Sequence, residues 1–217
     1  MTNWRMFGKI FVVTMAILLN VTISHAQVNL GADIVSRYVW RGADFGNSPS
    51  IQPTISYTLG NVEIGAWSAW SITGAPNGNE NDLYLTASFG SFGLTLTDYF
   101  YPAYGGKDNF FNYEDSAGVH ILEISGSYGV GPLSVMGAMN ILGDGDDSKY
   151  LELGYELLTG EELGASLIAG FGDGVYTTDG GFGAVHMGVC ATKGIYSASY
   201  IINPDGETSF LVFGVSF

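Results

Sequence analysis

The stretch that decides the fold is "ETSFLVFGVSF", residues 207–217. Leu211, Phe213, Val215 and Phe217 fall on one side of a two-residue period, and Val212, Gly214 and Ser216 fall on the other. This is the pattern of a strand with one apolar face, and it persists to an aromatic last residue. The last residues of a soluble domain ordinarily fray. A strand that keeps its period through Phe217 is expected to be held in a sheet along its whole length.

Residues 1–27, "MTNWRMFGKIFVVTMAILLNVTISHAQ", carry Arg5 and Lys9, an apolar run from Ile10 to Leu19, and small residues at Ser24 and Ala26. That order is a secretory signal peptide, with cleavage expected before Gln27. Asn20 interrupts the apolar run well short of the ~20 residues of a spanning helix. Residues 1–26 are therefore expected to be removed, leaving 27–217 as one domain. No cysteine stands near the expected cut, so lipid attachment is not expected there.

The leader holds two of the seven basic residues and none of the 21 acidic ones, so its loss moves the net charge from −14 to −16. Nucleic acid is a poor partner for so acidic a chain. The lone Cys190 makes no internal disulfide. Charged residues are only 13% of the chain beside 47% hydrophobic residues, an unusual balance for a soluble exported domain. After the leader, however, no segment is long enough for a membrane helix. The two facts agree if the apolar residues are distributed over many strands.

Twelve strands are expected, over residues 28–41, 50–59, 62–71, 81–89, 92–102, 117–128, 133–142, 148–158, 163–172, 183–192, 195–203 and 207–217. Most approach the ~9–11 residues of a tilted transmembrane strand. Joins such as Gly60-Asn61, Gly90-Ser91, "GVGP", "TGEE" and "TKG" are short, and they alternate with long ones such as "GADFGNSPS" and "PAYGGKDNFFNYEDSA". Short turns at one end and long loops at the other define an outer-membrane barrel, all-β, antiparallel and up-and-down. Ten strands remain an alternative if one hairpin lies outside the membrane. Asp98, which falls on the outward phase of its strand, signals a bulge or an early exit from lipid.

A soluble β-sandwich also alternates, but its outer face is rich in charge, with Lys guarding the edges. Here the polar face is mostly Thr, Ser, Gly and Tyr, and only Lys107, Lys149 and Lys193 remain after the leader. Aromatic residues gather near strand ends, among them Tyr38, Trp40, Trp70, Phe100, Phe110, Phe111 and Tyr150, as membrane interfaces favour. A terminal strand ending in Phe217 resembles the signal by which bacterial outer-membrane proteins engage their assembly machinery.

Residues 35–70, "VSRYVWRGADFGNSPSIQPTISYTLGNVEIGAWSAW", are similar to the opening of the TorF-type porin family of bacterial outer-membrane barrels. There a Ser-x-Tyr-x-x-Arg-Gly strand end precedes a Gln-containing second strand and a Gly-x-Trp-x-Ser third strand. Ser36, Tyr38, Arg41, Gly42, Gln52, Tyr57, Gly65, Trp67 and Ser68 occupy those positions. Looser matches follow at Asp82 to Tyr84, Pro102, Glu123 and "VCATKG". The resemblance implies a barrel in the bacterial outer membrane with pore activity. It carries over no solute.

By strand parity the pore-lining candidates are Asp33, Arg37 and Arg41 on the first strand, Glu63 and Trp67 on the third, and Tyr84 on the fourth. Glu123, Glu152, Glu156 and His186 follow on later strands. Arginines opposed to carboxylates set up a transverse field, while the acidic excess favours cations among small hydrophilic solutes. Alternatively, Arg37 and Arg41 pair with Glu123 or Glu152 inside a filled barrel. Plugging by Trp67, Tyr84 and Tyr99 gives a non-conducting barrel whose acidic external loops meet lipopolysaccharide or another partner.

Those loops include "GNENDL", "NYEDS", "GDGDDS" and "NPDGE". Their carboxylates suit divalent cations bridging to lipopolysaccharide, but "GDGDD" lacks the ligand spacing of an EF-hand loop. No cofactor and no catalytic group is expected. Neither His120 nor His186 has a serine two positions on, as the His-x-Ser pair of barrel phospholipases requires. His186 and Cys190 lie ~13 Å apart on a regular strand.

Overall fold

The computed structural model describes residues 27–74, 78–102, 110–115, 119–160 and 162–217. The expected leader, residues 1–26, lies outside the described residues, as does Lys107. The strands are β1 (Gln27–Val35), β2 (Val39–Trp40), β3 (Ala43–Asp44), β4 (Ser50–Leu59), β5 (Val62–Ser71), β6 (Glu80–Phe89) and β7 (Phe92–Phe100). There follow β8 (His120–Val130), β9 (Leu133–Leu142), β10 (Lys149–Leu158), β11 (Gly164–Gly172), β12 (Gly183–Lys193), β13 (Tyr196–Asn203) and β14 (Thr208–Ser216). All but β2 and β3 close into one antiparallel barrel of twelve strands, with β1 sealed against β14.

The two-residue period sets inside from outside. On β1 and β14 the outward Leu30 and Leu211 are 75% and 58% exposed, while on β4 the inward Ser50, Gln52 and Ser56 are buried. A sandwich has two sheets with free edges; here each barrel strand is paired on both sides, so backbone donors and acceptors are satisfied around the ring.

Four of the short turns share one device. Gly60, Gly90, Gly131 and Gly194 each open a two-residue turn with φ between 56° and 63°. Positive φ at the first turn residue is what a type II′ turn demands and what glycine tolerates. Gln27 pairs with Thr58 beside one of these turns, so the described chain enters at the short-turn end. At the seam Phe217 donates its backbone N–H to Ala32 over 2.9 Å and accepts from Ala32 over 3.3 Å. Its ring points outward, 73% exposed.

The first strand departs from expectation. It was expected to reach Arg41, but it leaves the barrel wall after Val35. Arg41 and Gly42 both hold positive φ, 49° and 80°. Such a pair forms the I′ type of tight turn, and it folds Val39–Asp44 into a small hairpin of β2 and β3. A bond from Phe45 N–H to the Tyr38 carbonyl, 2.8 Å, closes the base of that hairpin. Arg37 and Arg41 therefore stand on a loop and not, as strand parity placed them, on the first barrel strand. At Asp98 there is no bulge, because the register of β7 with both β6 and β8 runs through it unbroken.

Pairing shifts occur at three places. On β9 the shift between Leu122 and Glu123 leaves Ile141 as an extra residue, and on β12 the shift at Gly170/Phe171 leaves Val185 as an extra residue. A third lies at Glu156/Leu158. Bulges bend a strand and re-aim its side chains, and the first two sit where the hairpin touches the wall. An outward apolar belt of this kind is the surface that lipid covers in a transmembrane barrel. Leu153, outward at the middle of β10, is expected to resist charge: Leu153→Arg should cost about 2–4 kcal/mol of folding stability in a bilayer. Urea titration of liposome-folded protein measures this, and an unchanged midpoint would contradict a lipid-facing Leu153.

Candidate functional site at the barrel mouth

The loop of residues 36–49 reaches across the long-loop mouth of the barrel and touches the wall on opposite sides. Tyr38 donates its phenol proton to Glu80 Oε2 on β6, 2.9 Å away. Arg41 reaches Glu123 on β8 with both terminal nitrogens, Nη1 to Oε2 at 2.5 Å and Nη2 to Oε1 at 3.0 Å. The tip meets the other wall: Asn203 Nδ2 donates to the Gly42 carbonyl over 3.2 Å. A Cβ at Gly42 would overlap the carbonyl oxygen of bulged Val185. Glycine is required at that turn for space as well as for φ.

Arg41 is the centre of this arrangement, with its side chain 6% exposed and that of Glu123 2%. The guanidinium lies 4.3 Å from the ring centroids of both Trp40 and Tyr150, and 5.3 Å from that of Tyr176. Its planar, weakly hydrated cation suits stacking between rings while its edge binds a carboxylate. Tyr176 sits on a 3-10 turn, Gly174–Tyr176, and accepts a bond from Arg41 Nη1 at 2.6 Å. Tyr99 donates to Glu123 Oε1 at 3.1 Å.

Burial alone pulls the Arg41 guanidinium down, but the hydrogen bonds and charge of Glu123 outweigh it, so the side chain remains cationic. Burial, followed by the charge of Glu80, pushes the Tyr38 phenol far up and keeps it a donor. Burial drives the Tyr176 phenol to about 12 against the opposing pull of Arg41.

The other candidates are distributed along the lumen. Arg37 pairs with Asp44 within its own loop and lies 5.7 Å from the Phe210 ring centroid. Trp67 packs beside Tyr38, ring centroids 5.5 Å apart. Tyr84 lies against Gly65, where any Cβ would overlap its ring. Glu63 accepts from Thr58 Oγ1 at 3.0 Å, and Glu152 accepts from the Tyr150 phenol at 2.9 Å. Asp33 lies between Gln52 and Ser216 in register, and Glu156 faces Ser166. Two pairs of candidates are brought together among the described residues: Arg41 with Glu123, and Tyr84 with Glu63 through a side-chain hydrogen bond.

Other functional side chains escaped the sequence reading. Glu80 and Asp82, read as loop acids in "GNENDL", stand buried on the inward face of β6. Strict alternation from the inward Tyr84 back to Asp82 and Glu80 was the available signal. Asn140 on β9 is buried and donates Nδ2 to Asp144 at 2.8 Å. His120 faces outward at the end of β8, covered by Phe100, Phe110 and Tyr113. Its Nδ1 is 2.7 Å from Asp98 Oδ1 and its Nε2 2.6 Å from the Phe110 carbonyl. The outward phase of Asp98 is thus satisfied by this clamp and by the Tyr113 phenol, 2.7 Å away.

The short-turn end differs in character. Recesses of about 230 and 430 Å³ open there, one lined by Thr58, Glu63 and Thr86, the other by Glu156, Thr159 and Thr192. Inward positions between them and the hairpin include Thr95, Ser125, Ser134, Ser166 and Ser199. A packed apolar cluster of Ala138, Tyr150 and Val185 with Met136 and Tyr176 lies near the long-loop mouth. A closed barrel with an apolar outer belt and a polar interior narrowed at one mouth is the class of structure these features define.

Comparison with known proteins bears this out at the level of fold. The chain is similar to a structure reported under "Unveiling the Mechanism Behind the in-meso Crystallization of Membrane Proteins", with a TM-score of 0.50 and 12% identity over 89% of this chain and 83% of that one. It also aligns with Salmonella typhi OmpF in complex with daunomycin, with a TM-score of 0.37 and 9% identity over 88% of this chain and 97% of the other. No protein-family profile and no curated protein matches the chain, so the TorF-type resemblance has no matching profile behind it.

Two outcomes follow from the mouth. Removing one partner of a buried ion pair leaves the other unpaired, so Arg41→Met should destabilise the barrel by about 3–5 kcal/mol. Adding Glu123→Gln should recover most of that loss; denaturant titration followed by tryptophan fluorescence checks both, and equal loss in the double variant would contradict the coupling. For Asp144, burial raises the carboxyl, but bonds from Ser148, Asn140 and the Asp146 backbone outweigh it and hold it below its ordinary 3.8. A lowered folded value stabilises above the unfolded value and is lost as pH falls through the folded one. The stability gap between wild type and Asp144→Asn should therefore be full above about pH 4 and close in stronger acid.

Proposed function

We propose that this protein is an outer-membrane channel for small hydrophilic solutes, with a preference for cations. The observation that carries the reading is the lining of the barrel. Its inward strand positions below the hairpin are mainly Ser, Thr and Gly, with Glu63, Glu152 and Glu156 among them. A twelve-stranded barrel is wide enough to leave such an interior unfilled. The acids Asp33, Glu63, Glu152 and Glu156 lie on inward phases, whereas Lys149 and Lys193, the basic residues on barrel strands, are exposed on outward phases at strand ends. An acidic wall of this kind concentrates cations.

Export by the segment 1–26, assembly through the strand ending at Phe217, and contact of the acidic long loops with lipopolysaccharide complete the reading. A second reading, a closed barrel that acts through its external surface, is favoured by one observation: the stacked and bidentate Arg41–Glu123 pair occupies the mouth.

Single-channel recording in a planar bilayer under a salt gradient separates the two. Discrete steps with a cation-selective reversal potential are expected. The triple variant Glu63→Gln, Glu152→Gln, Glu156→Gln should move that potential toward zero. Silence from folded protein would sink the channel reading in favour of the closed barrel.

A further inference from the structure

Between the hairpin, the Tyr176 turn and the walls of β7 to β9 lies a cavity of about 250 Å³. Its surface is chiefly aromatic, with Trp40, Phe45, Tyr99, Tyr101 and Tyr176, and Asn140 is its buried neutral polar group. An apolar pocket with few convergent polar groups is the usual form of a small-molecule site.

The inventory of donors and acceptors around this cavity is one-sided. Tyr99 gives its proton to Glu123, and Tyr101 is hydrogen-bonded to Glu80. Arg41 is engaged by Glu123 and Tyr176, and Asn140 Nδ2 donates to Asp144. Asp144 only accepts when ionised, which fixes the amide so that Oδ1 is the free end. That oxygen, on a residue 2% exposed, has no hydrogen-bond partner among the described residues, and the Tyr176 phenol beside the amide turns its proton toward Glu123 Oε2 over 3.4 Å. A ligand presenting acceptors, such as a carboxylate or a polyol, finds these donors already committed. A ligand presenting donors finds Asn140 Oδ1.

Charge points the same way. Glu123 neutralises Arg41 directly, so this wall holds no unpaired cation, and the ionisable side chains next along it are carboxyls: Asp82 is the cross-strand neighbour of Tyr99, and Glu80 bonds Tyr101. Aromatic faces attract a cation through their quadrupoles. We propose that the cavity binds a small primary ammonium compound with an apolar body, its ammonium donating to Asn140 Oδ1 and its body lying against Trp40 and Phe45. The proposal deepens the channel reading by naming a solute class held at the mouth, and it rests on that reading for its place in transport.

The test is isothermal titration calorimetry of the full-length expressed protein, purified from membranes in detergent, with phenethylammonium chloride as probe and phenylacetate and glucose as comparators. Phenethylammonium is expected to bind at least roughly tenfold more tightly than either, and Asn140→Leu to weaken it about tenfold, the worth of one hydrogen bond to a charged group. Equal affinity for phenylacetate or glucose, no detectable binding of phenethylammonium, or unchanged affinity in a folded Asn140→Leu variant would overturn the proposal. Should that variant not fold, the wild-type ligand series decides alone. Conductance of the same preparation without amine separates the two ideas: conduction without amine binding defeats only the site, and amine binding without conduction defeats only the channel.

Discussion

The mouth of this barrel depends on one ion pair, Arg41 with Glu123, held where neither partner meets bulk water. Taking two charges out of water is expensive, and only bidentate geometry with further hydrogen bonds repays it. Here those conditions are met by pieces distant in sequence: a loop turn supplies the cation, β8 the carboxylate, β7 the Tyr99 phenol and a 3-10 turn the Tyr176 phenol. The pair is intelligible as a device of specificity more than of gross stability. A barrel wall alone does not dictate where a fourteen-residue loop goes, but an arginine with one satisfactory partner does.

The rest of the mouth is arranged around that requirement. The bulge at Val185 presents a carbonyl where Gly42 must pass, and the bulge at Ile141 lies beside Glu123 and Asn140. Removing a residue from either bulge would shift the facing of everything beyond it by one position. Ser148, fully buried, ties the 3-10 turn to the base of β10 through a 2.9 Å bond from Val175 N–H. Three loops are therefore interlocked above a lumen whose strands alone would leave it open.

The wall of the barrel was legible in the sequence because alternation and glycine turns are local signals. Most strands start and end within a residue or two of where the pattern puts them. The path of residues 36–49 was not legible, for a physical reason. Arg37, Val39 and Arg41 continue the odd-numbered phase of β1, so alternation alone reads the segment as more strand. The strand has already ended at Val35, and the pair of positive φ angles at Arg41-Gly42 folds the continuation back as a hairpin, a turn which the resemblance to a family strand end even disguised. Arg41 was thus identified as a lumen residue through parity that does not apply to it, and its link to Glu123 spans 82 residues, beyond the reach of any local pattern. Asn140 was overlooked because a single amide in an apolar strand carries no motif, and Asp98 looked anomalous because its clamp on His120 depends on a returning loop.

The two ends of the lumen are unlike, and that asymmetry bears on function. At the short-turn end the lining is small and polar, and in the proposed channel its acidic surface would enrich cations without binding any one of them. At the long-loop end the lining is aromatic and its donors are spent on carboxylates, so in the proposed channel passage would be governed by fit to a few groups. In the proposed channel, resistance to flow would fall on one short segment, residues 36–49, while the strands would supply the wall and its acids. Changes to lumen acids should act on which ions accumulate, and changes to the hairpin on whether anything passes. Since the hairpin is anchored on β6, β8, β12 and β13 at once, a partial opening must break contacts on at least one of these walls. A mouth built in this way is expected to switch between discrete arrangements and not to widen by degrees.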